Sequence, residues 1–176
     1  MADGQRTAGD GMRAIVVYQS LWGNTAAVAR AIAEGIGPEA RALSTAEATG
    51  PAVEGVDLIV AGSPVMAFGL PSERALASVR ASAGGSASGP DLSQPSMSSW
   101  LKGLPAGRGG CAGFDTRLWW SPGGAVGRIV RGLERAGYRQ VARGEKFIVK
   151  GKEGPLRDGE IERARVWGVH LRQALG

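Results

Sequence analysis

Along this chain short apolar runs alternate with stretches in which apolar residues recur every three or four positions. RAIVVY (13–18) predicts a short apolar strand. Val28, Ile32 and Ile36 then follow at intervals of four with alanines between, the buried stripe of a helix, which Gly37-Pro38 stops. EARALS (39–44) predicts a weak second strand, and TAEATGPAVEG after it reads as a loop. VDLIVAGS (56–63) is nearly continuous in apolar side chains, as in a strand covered on both faces. Pro71 is set to open the next helix at its first turn, with SERALASVRAS continuing it. GGSASGPDLSQPSMSS (84–99) reads as a flexible excursion, ending in a helical turn at WLKGL. A strand at 108–116, a helix from Gly124 to Gly137, a strand at 145–151 and a helix from Gly159 to Leu175 complete the pattern.

Strands separated by helices imply right-handed crossovers and a parallel sheet. The expected architecture is α/β, a doubly wound sheet of five parallel strands in the order 2-1-3-4-5 with helices on both faces. Ligands of such sheets bind beyond the carboxyl ends of the strands where the order reverses. That gathers three loops, 19–25, 63–70 and 115–123, around one site.

Composition narrows the class. A chain of 176 residues with 43% hydrophobic residues suits one compact domain, here 12–176, and MADGQRTAGDG (1–11) reads as a disordered leader. The sequence has no apolar run of the roughly 18 residues a membrane span needs, so a soluble, cytoplasmic protein with no membrane partner is expected. One cysteine, Cys111, and one histidine, His170, give neither a disulfide framework nor a zinc site, nor the triad of a hydrolase. Charge is divided: residues 1–100 hold 6 Lys and Arg against 9 Asp and Glu, residues 101–176 hold 15 against 7. The arginines of RIVRGLERAGYR stand singly without interleaved aromatics, which fits a solvated basic face and no nucleic-acid partner. PGGAVG (122–127) lacks the order of a dinucleotide fingerprint, and no Gly-rich turn carries the Lys of a nucleotide-hydrolysing loop.

The first of the three loops, YQSLWGNT (18–25), has no Lys or Arg, yet it leads into a helix. Unpaired N–H groups and the positive end of the helix dipole hold a phosphate without a cationic side chain. Ser20 and Thr25 add hydroxyl donors, Gly23 lets the backbone come close and Asn24 suits a tight turn. A helix cap at Asn24 or Thr25 is the simpler alternative.

The loop and its flanks resemble the phosphate-loop pattern of the flavodoxin family. That pattern is an apolar pair, an aromatic, any residue, Ser or Thr, two residues, a small residue, one residue, Thr, three residues, Ala, two residues and an aliphatic. Val16-Val17, Tyr18, Ser20, Gly23, Thr25, Ala29 and Ile32 meet it at every fixed position. VDLIVAGSP is similar to the family's third strand and flavin loop, and CAGFDTRLWWSPGGAVGRIV to its next strand, loop and helix. The resemblance implies a flavodoxin-like fold and non-covalent flavin mononucleotide (FMN), with Gln19, Ser20, Leu21, Trp22, Gly23, Asn24 and Thr25 cradling the phosphate. It implies that the flavin ring meets Ser63, Pro64, Val65, Met66 and Phe68 after the third strand and Asp115, Thr116, Arg117 and Trp119 after the fourth. Where the family commonly flanks the ring with Trp and Tyr, this chain offers Met66, Ala67 and Phe68, then Trp119 and Trp120, with Phe114 read as core. Family carriers are usually acidic, whereas this chain has pI ≈ 10.0, and Arg117 is expected to favour the reduced, anionic ring.

Two functions follow. One is an FMN-binding redox protein, a flavodoxin-type electron carrier or a small quinone-reductase-like enzyme, serving a redox partner protein or a small quinone-like acceptor. Its cofactor supplies the chemistry and no side chain need act as acid or base. The other is a flavin-free module of the same fold that acts as a binding protein through its basic half.

Overall fold

The computed structural model describes residues 11–83 and 89–176. The expected leader, apart from Gly11, and residues 84–88 of the expected excursion lie outside them. In chain order the elements are β1 (Ala14–Tyr18), α1 (Asn24–Ile36), β2 (Ala40–Ser44), α2 (Gly50–Val53), β3 (Leu58–Pro64), α3 (Glu73–Ser82), α4 (Met97–Lys102), β4 (Gly110–Leu118), α5 (Val126–Arg135), β5 (Arg139–Gln140), β6 (Glu145–Val149) and α6 (Glu160–Leu175).

All described strand pairs in the sheet are parallel, in the order β2-β1-β3-β4-β5. Period-two alternation sends successive side chains to opposite faces. Val16, Val60, Phe114 and Phe147 pack with Ile32, Ile36, Trp167 and Leu171 of α1 and α6. Ile15, Val17, Ile59 and Cys111 pack with Val53, Met97, Trp100, Ile129 and Leu133 of α2, α4 and α5. Phe114, Phe147 and Trp167 meet edge-on or tilted at 6.0–6.5 Å between centroids, so Phe114 belongs to the core. Burial, then the Glu134 carboxylate, push the Cys111 thiol up to about 11, which leaves it protonated and unreactive at neutral pH.

Four details differ from the sequence pattern. The fifth position in the sheet is shared by two strands: β5 pairs with Gly110–Cys111 and β6 with Phe114–Leu118. Helix α3 is opened by Ser72, whose hydroxyl accepts from Ala75 N at 3.0 Å, so Pro71 lies before the helix. Part of TAEATGPAVEG coils into the single turn of α2. Residues 89–99, expected to be flexible, are tied to the sheet by hydrogen bonds. Asp91 N donates to Leu21 O, Thr45 Oγ1 to Pro95 O and Met97 N to Gln19 Oε1, at 2.7–2.8 Å. Ser, Pro and Gln look like a linker by composition, but here their polar groups do the anchoring that apolar side chains do elsewhere.

Helices α1 and α6 cross where two glycines face each other. A Cβ on Gly35 would overlap the carbonyl of Arg165, and one on Gly168 that of Ile32. In an isolated helix Gly→Ala is stabilising by about 1 kcal/mol, but overpacking costs roughly 1–3 kcal/mol or more. Gly35→Ala should therefore lower the melting temperature by several degrees, at about 2–4 °C per kcal/mol for a chain of this size. A higher melting temperature would show that the two backbones do not approach this closely.

Candidate functional site

The loop 19–23 is shaped by bonds that leave its donors facing outward. Gln19 N donates to Gly62 O, and its buried side chain turns away to accept from the first residue of α4. Ser20 N donates to Gln94 Oε1 at 3.1 Å, while Ser20 Oγ accepts from Gly23 N at 3.1 Å and Ala26 N at 3.3 Å. Gly23 takes the left-handed conformation, φ 88°, that admits glycine readily. Neither Asn24 nor Thr25 caps α1: Asn24 Nδ2 donates to Glu153 O, and Thr25 Oγ1 shares a 2.8 Å hydrogen bond with Thr116 Oγ1. Among the described residues, the backbone N–H groups of Leu21, Trp22, Asn24 and Thr25 have no acceptor. These donors stand at the N-terminus of a 13-residue helix whose dipole adds positive potential.

The second loop is a two-residue hairpin. Met66 and Gly69 exchange both backbone bonds, at 2.9 and 3.0 Å, around Ala67 (φ 44°) and Phe68 (φ 73°). A turn with φ > 0 at both central positions normally takes Asn or Gly; alanine and phenylalanine there store backbone strain of about 1–3 kcal/mol each. The surroundings hold it in place, with Val65 N bonded to Thr116 O and Gly124 N to Phe68 O. Gly123 (φ 76°) sits so close beneath that a Cβ would overlap Phe68 O.

The third loop hangs from a buried ion pair. Asp115 is fully buried, and its carboxylate accepts from Arg117 Nε at 2.8 Å, from Arg117 Nη2 at 2.5 Å and from Ala125 N at 2.9 Å. Arg117 Nη1 donates to Gly123 O at 2.6 Å. Because β4 continues to Leu118, Arg117 lies in the strand and not in the loop, and its guanidinium is committed to Asp115. Its expected influence on a reduced flavin ring is therefore largely cancelled.

The three loops enclose a cavity of about 250 Å3 beyond the carboxyl ends of β1, β3, β4 and β6. Of the residues expected in the site, Ser20, Leu21, Trp22, Asn24, Thr25, Pro64, Val65, Met66, Thr116 and Arg117 line it. Gln19, Gly23, Ser63, Phe68, Asp115 and Trp119 do not. Ser63 and Asp115 are buried behind the wall, and Phe68 and Trp119 point into solvent, 70% and 77% exposed. The lining also holds Ala67, Leu118 and Ser121 of the expected loops, and Val79, Val149 and Lys152, which the sequence reading missed. Lys152 follows β6, at the edge of the sheet and away from the strand-order reversal on which the sequence reading relied.

No protein-family model matches this sequence, and no curated protein does. Solved structures do match. An archaeal flavodoxin superposes with a TM-score of 0.62 at 17% identity, covering 93% of this chain and 99% of that one. Flavodoxin 1 from Bacillus cereus gives 0.64 at 16% identity, covering 92% and 97%. The fold is flavodoxin-like. A flavodiiron protein from Giardia intestinalis also matches, with a TM-score of 0.56 at 20% identity; 93% of this chain corresponds to 36% of that protein, about a third of its length.

Within this flavodoxin-like frame the cavity combines a donor-rich end, made by the free N–H groups and Lys152, with apolar walls at Val65, Met66, Leu118 and Val149. The walls depend on the Asp115–Arg117 pair. Asp115→Ala should cost about 3–5 kcal/mol, since it strands a nearly buried guanidinium, and Arg117→Met on that background should recover part of the loss. Chemical denaturation measures both. A single-variant cost below about 1 kcal/mol would mean the pair does not anchor the loop.

Proposed function

We propose that the protein binds FMN in this cavity and works as an electron carrier or small FMN-dependent reductase, passing electrons to a redox partner protein or a quinone-like acceptor in the cytoplasm. One observation carries the reading: four free backbone N–H groups at the N-terminus of α1 open onto a cavity with apolar walls at the switch point of a flavodoxin-like sheet. The unpaired donors fit a phosphate dianion, which supplies the acceptors they lack. Gly23 has nothing within 4 Å of a would-be Cβ, so a bulky anion can approach the backbone there. Lys152, exposed and without an ion pair among the described residues, adds a cation at the cavity edge.

FMN, when bound, supplies reversible one- and two-electron chemistry. The protein's part is binding and shielding. Val65, Met66, Leu118 and Val149 would shield a bound ring from water. At about 250 Å3 the cavity is close to the lower end of ligand clefts, roughly 300–1,000 Å3. Among the described residues no helix is long and apolar enough to cross a membrane.

FMN should bind at least tenfold more tightly than riboflavin, as the phosphate donors contribute charge-assisted hydrogen bonds of about 1.5–3 kcal/mol each. Flavin fluorescence quenching measures this; equal affinities would refute the phosphate assignment, and a colourless protein that quenches neither flavin would favour a flavin-free binding module. Lys152→Gln should weaken FMN alone, by about two- to fivefold at low salt as for an exposed ion pair, and leave riboflavin unaffected. An equal loss for both ligands would remove Lys152 from the phosphate end.

A further inference from the structure

Helix α5 turns Ile129 and Leu133 into the core and Arg128, Arg131 and Arg135, at i, i+3 and i+7, out to solvent. None of the three makes an ion pair with a described residue, and neither does Lys102 at the end of α4. The four cations border a groove of about 550 Å3 floored by Leu101, Leu104 and Gly132. The floor is apolar because α4 lies directly on α5: a Cβ on Gly132 would stand 3.0 Å from Leu101 Cδ1. Like charges at this spacing weaken a helix. Among the described residues four other arginines are matched, Arg117 with Asp115, Arg157 with Glu160, Arg163 with Glu145 and Glu160, and Arg165 with Glu34 and Glu162, but it is on α5 that three unmatched ones share a single helix face. The α5 acid, Glu134, pairs with none of its arginines.

The groove reaches the hairpin that lines the cavity. Met66 and Ala67 of the hairpin line the cavity, and Leu70 lines the groove. Arg128 reaches back to the hairpin, its Nη1 lying 3.2 Å from where a Cβ on Gly69 would be. Phe68, Trp119 and Trp120, which are 70%, 77% and 62% exposed, stand on the two loops at the cavity mouth. Exposed large aromatics beside unpaired arginines have the composition of a protein interface centre, where Trp, Tyr and Arg carry most of the binding energy.

We propose that this face, the Arg128–Arg131–Arg135–Lys102 groove with the aromatic rim, docks an acidic protein electron carrier at the mouth of the cavity. That the partner carries electrons rests on the FMN reading; that it is an acidic protein rests on charge and exposure alone. A second copy fits poorly, because the chain has net charge +5 and would bring like charges together. Nucleic acid fits less well than protein, since the aromatics stand across the hairpin from the cations and do not alternate with them along a strand path.

The test titrates the full chain, without flavin, with an acidic plant-type [2Fe–2S] ferredoxin and in parallel with basic cytochrome c, by calorimetry at about 50 and 500 mM salt. Ferredoxin should bind at low salt and at least tenfold more weakly at high salt, and cytochrome c should not bind. Arg128→Glu/Arg131→Glu/Arg135→Glu should weaken ferredoxin at least tenfold, with the corresponding Gln triple variant intermediate and its melting temperature unchanged. No ferredoxin binding at low salt, wild-type affinity in the Glu variant, or tighter binding of a duplex DNA than of ferredoxin would overturn the proposal. The flavin-free format separates the two readings: loss of docking leaves FMN affinity intact, and failure of FMN to bind leaves the docking measurement readable.

Discussion

A charge with no access to water must find its partners inside the protein, and Asp115 imposes that condition on the whole carboxyl edge of the sheet. Its carboxylate takes two bonds from Arg117 and one from Ala125 N, which fixes the end of β4 and the start of α5. Through Gly123 O and the Gly124–Phe68 bond the same pair holds the hairpin in its strained shape. The next residue, Thr116, bonds Val65 N through its carbonyl and Thr25 through its hydroxyl, so all three loops are registered from one short segment of strand. The site is preorganised by a buried charge whose removal, more than that of any single apolar contact, would release it.

A division of labour follows. One end of the cavity is built from backbone N–H groups at a helix terminus, with Lys152 at its edge. The wall end is built from side chains whose identity differs from the aromatics common in flavodoxin-like carriers, and its own aromatics are turned outward. Donors and aliphatics line the cavity, while Phe68, Trp119, Trp120 and the α5 arginines face outward.

Much of this was legible in the sequence. The 2-1-3-4-5 order follows from the alternation of strand and helix patterns, and YQSLWGNT identifies the helix terminus by its position after a strand. What escaped detection has physical causes. Strand 108–116 reads as ending before Arg117, because periodicity does not reveal that the guanidinium would be satisfied by a carboxylate two residues away on the same face of the strand. Lys152 sits in a polar loop that carries no local signature, and its place at the cavity is set by tertiary packing of Glu153 against Asn24. Residues 89–99 have the composition of a linker, and only the reciprocal capping by Gln19 and Gln94 reveals them as a strut. The outward turn of Phe68 and Trp119 depends on backbone conformation at single residues, which composition does not encode.

The split fifth position of the sheet has a consequence of its own. An open edge of hydrogen-bonding groups is a template on which another chain can add, the first step toward aggregated β-structure. Here the two-residue β5, continued by the Val141 N to Cys111 O bond, and the five-residue β6 are separated by residues 142–144, which lie outside both strands, and Arg139, Glu145 and Lys146 put charge along the exposed border. No uninterrupted row of donors and acceptors is offered on that side, so this edge of the sheet is a poor template for a second chain.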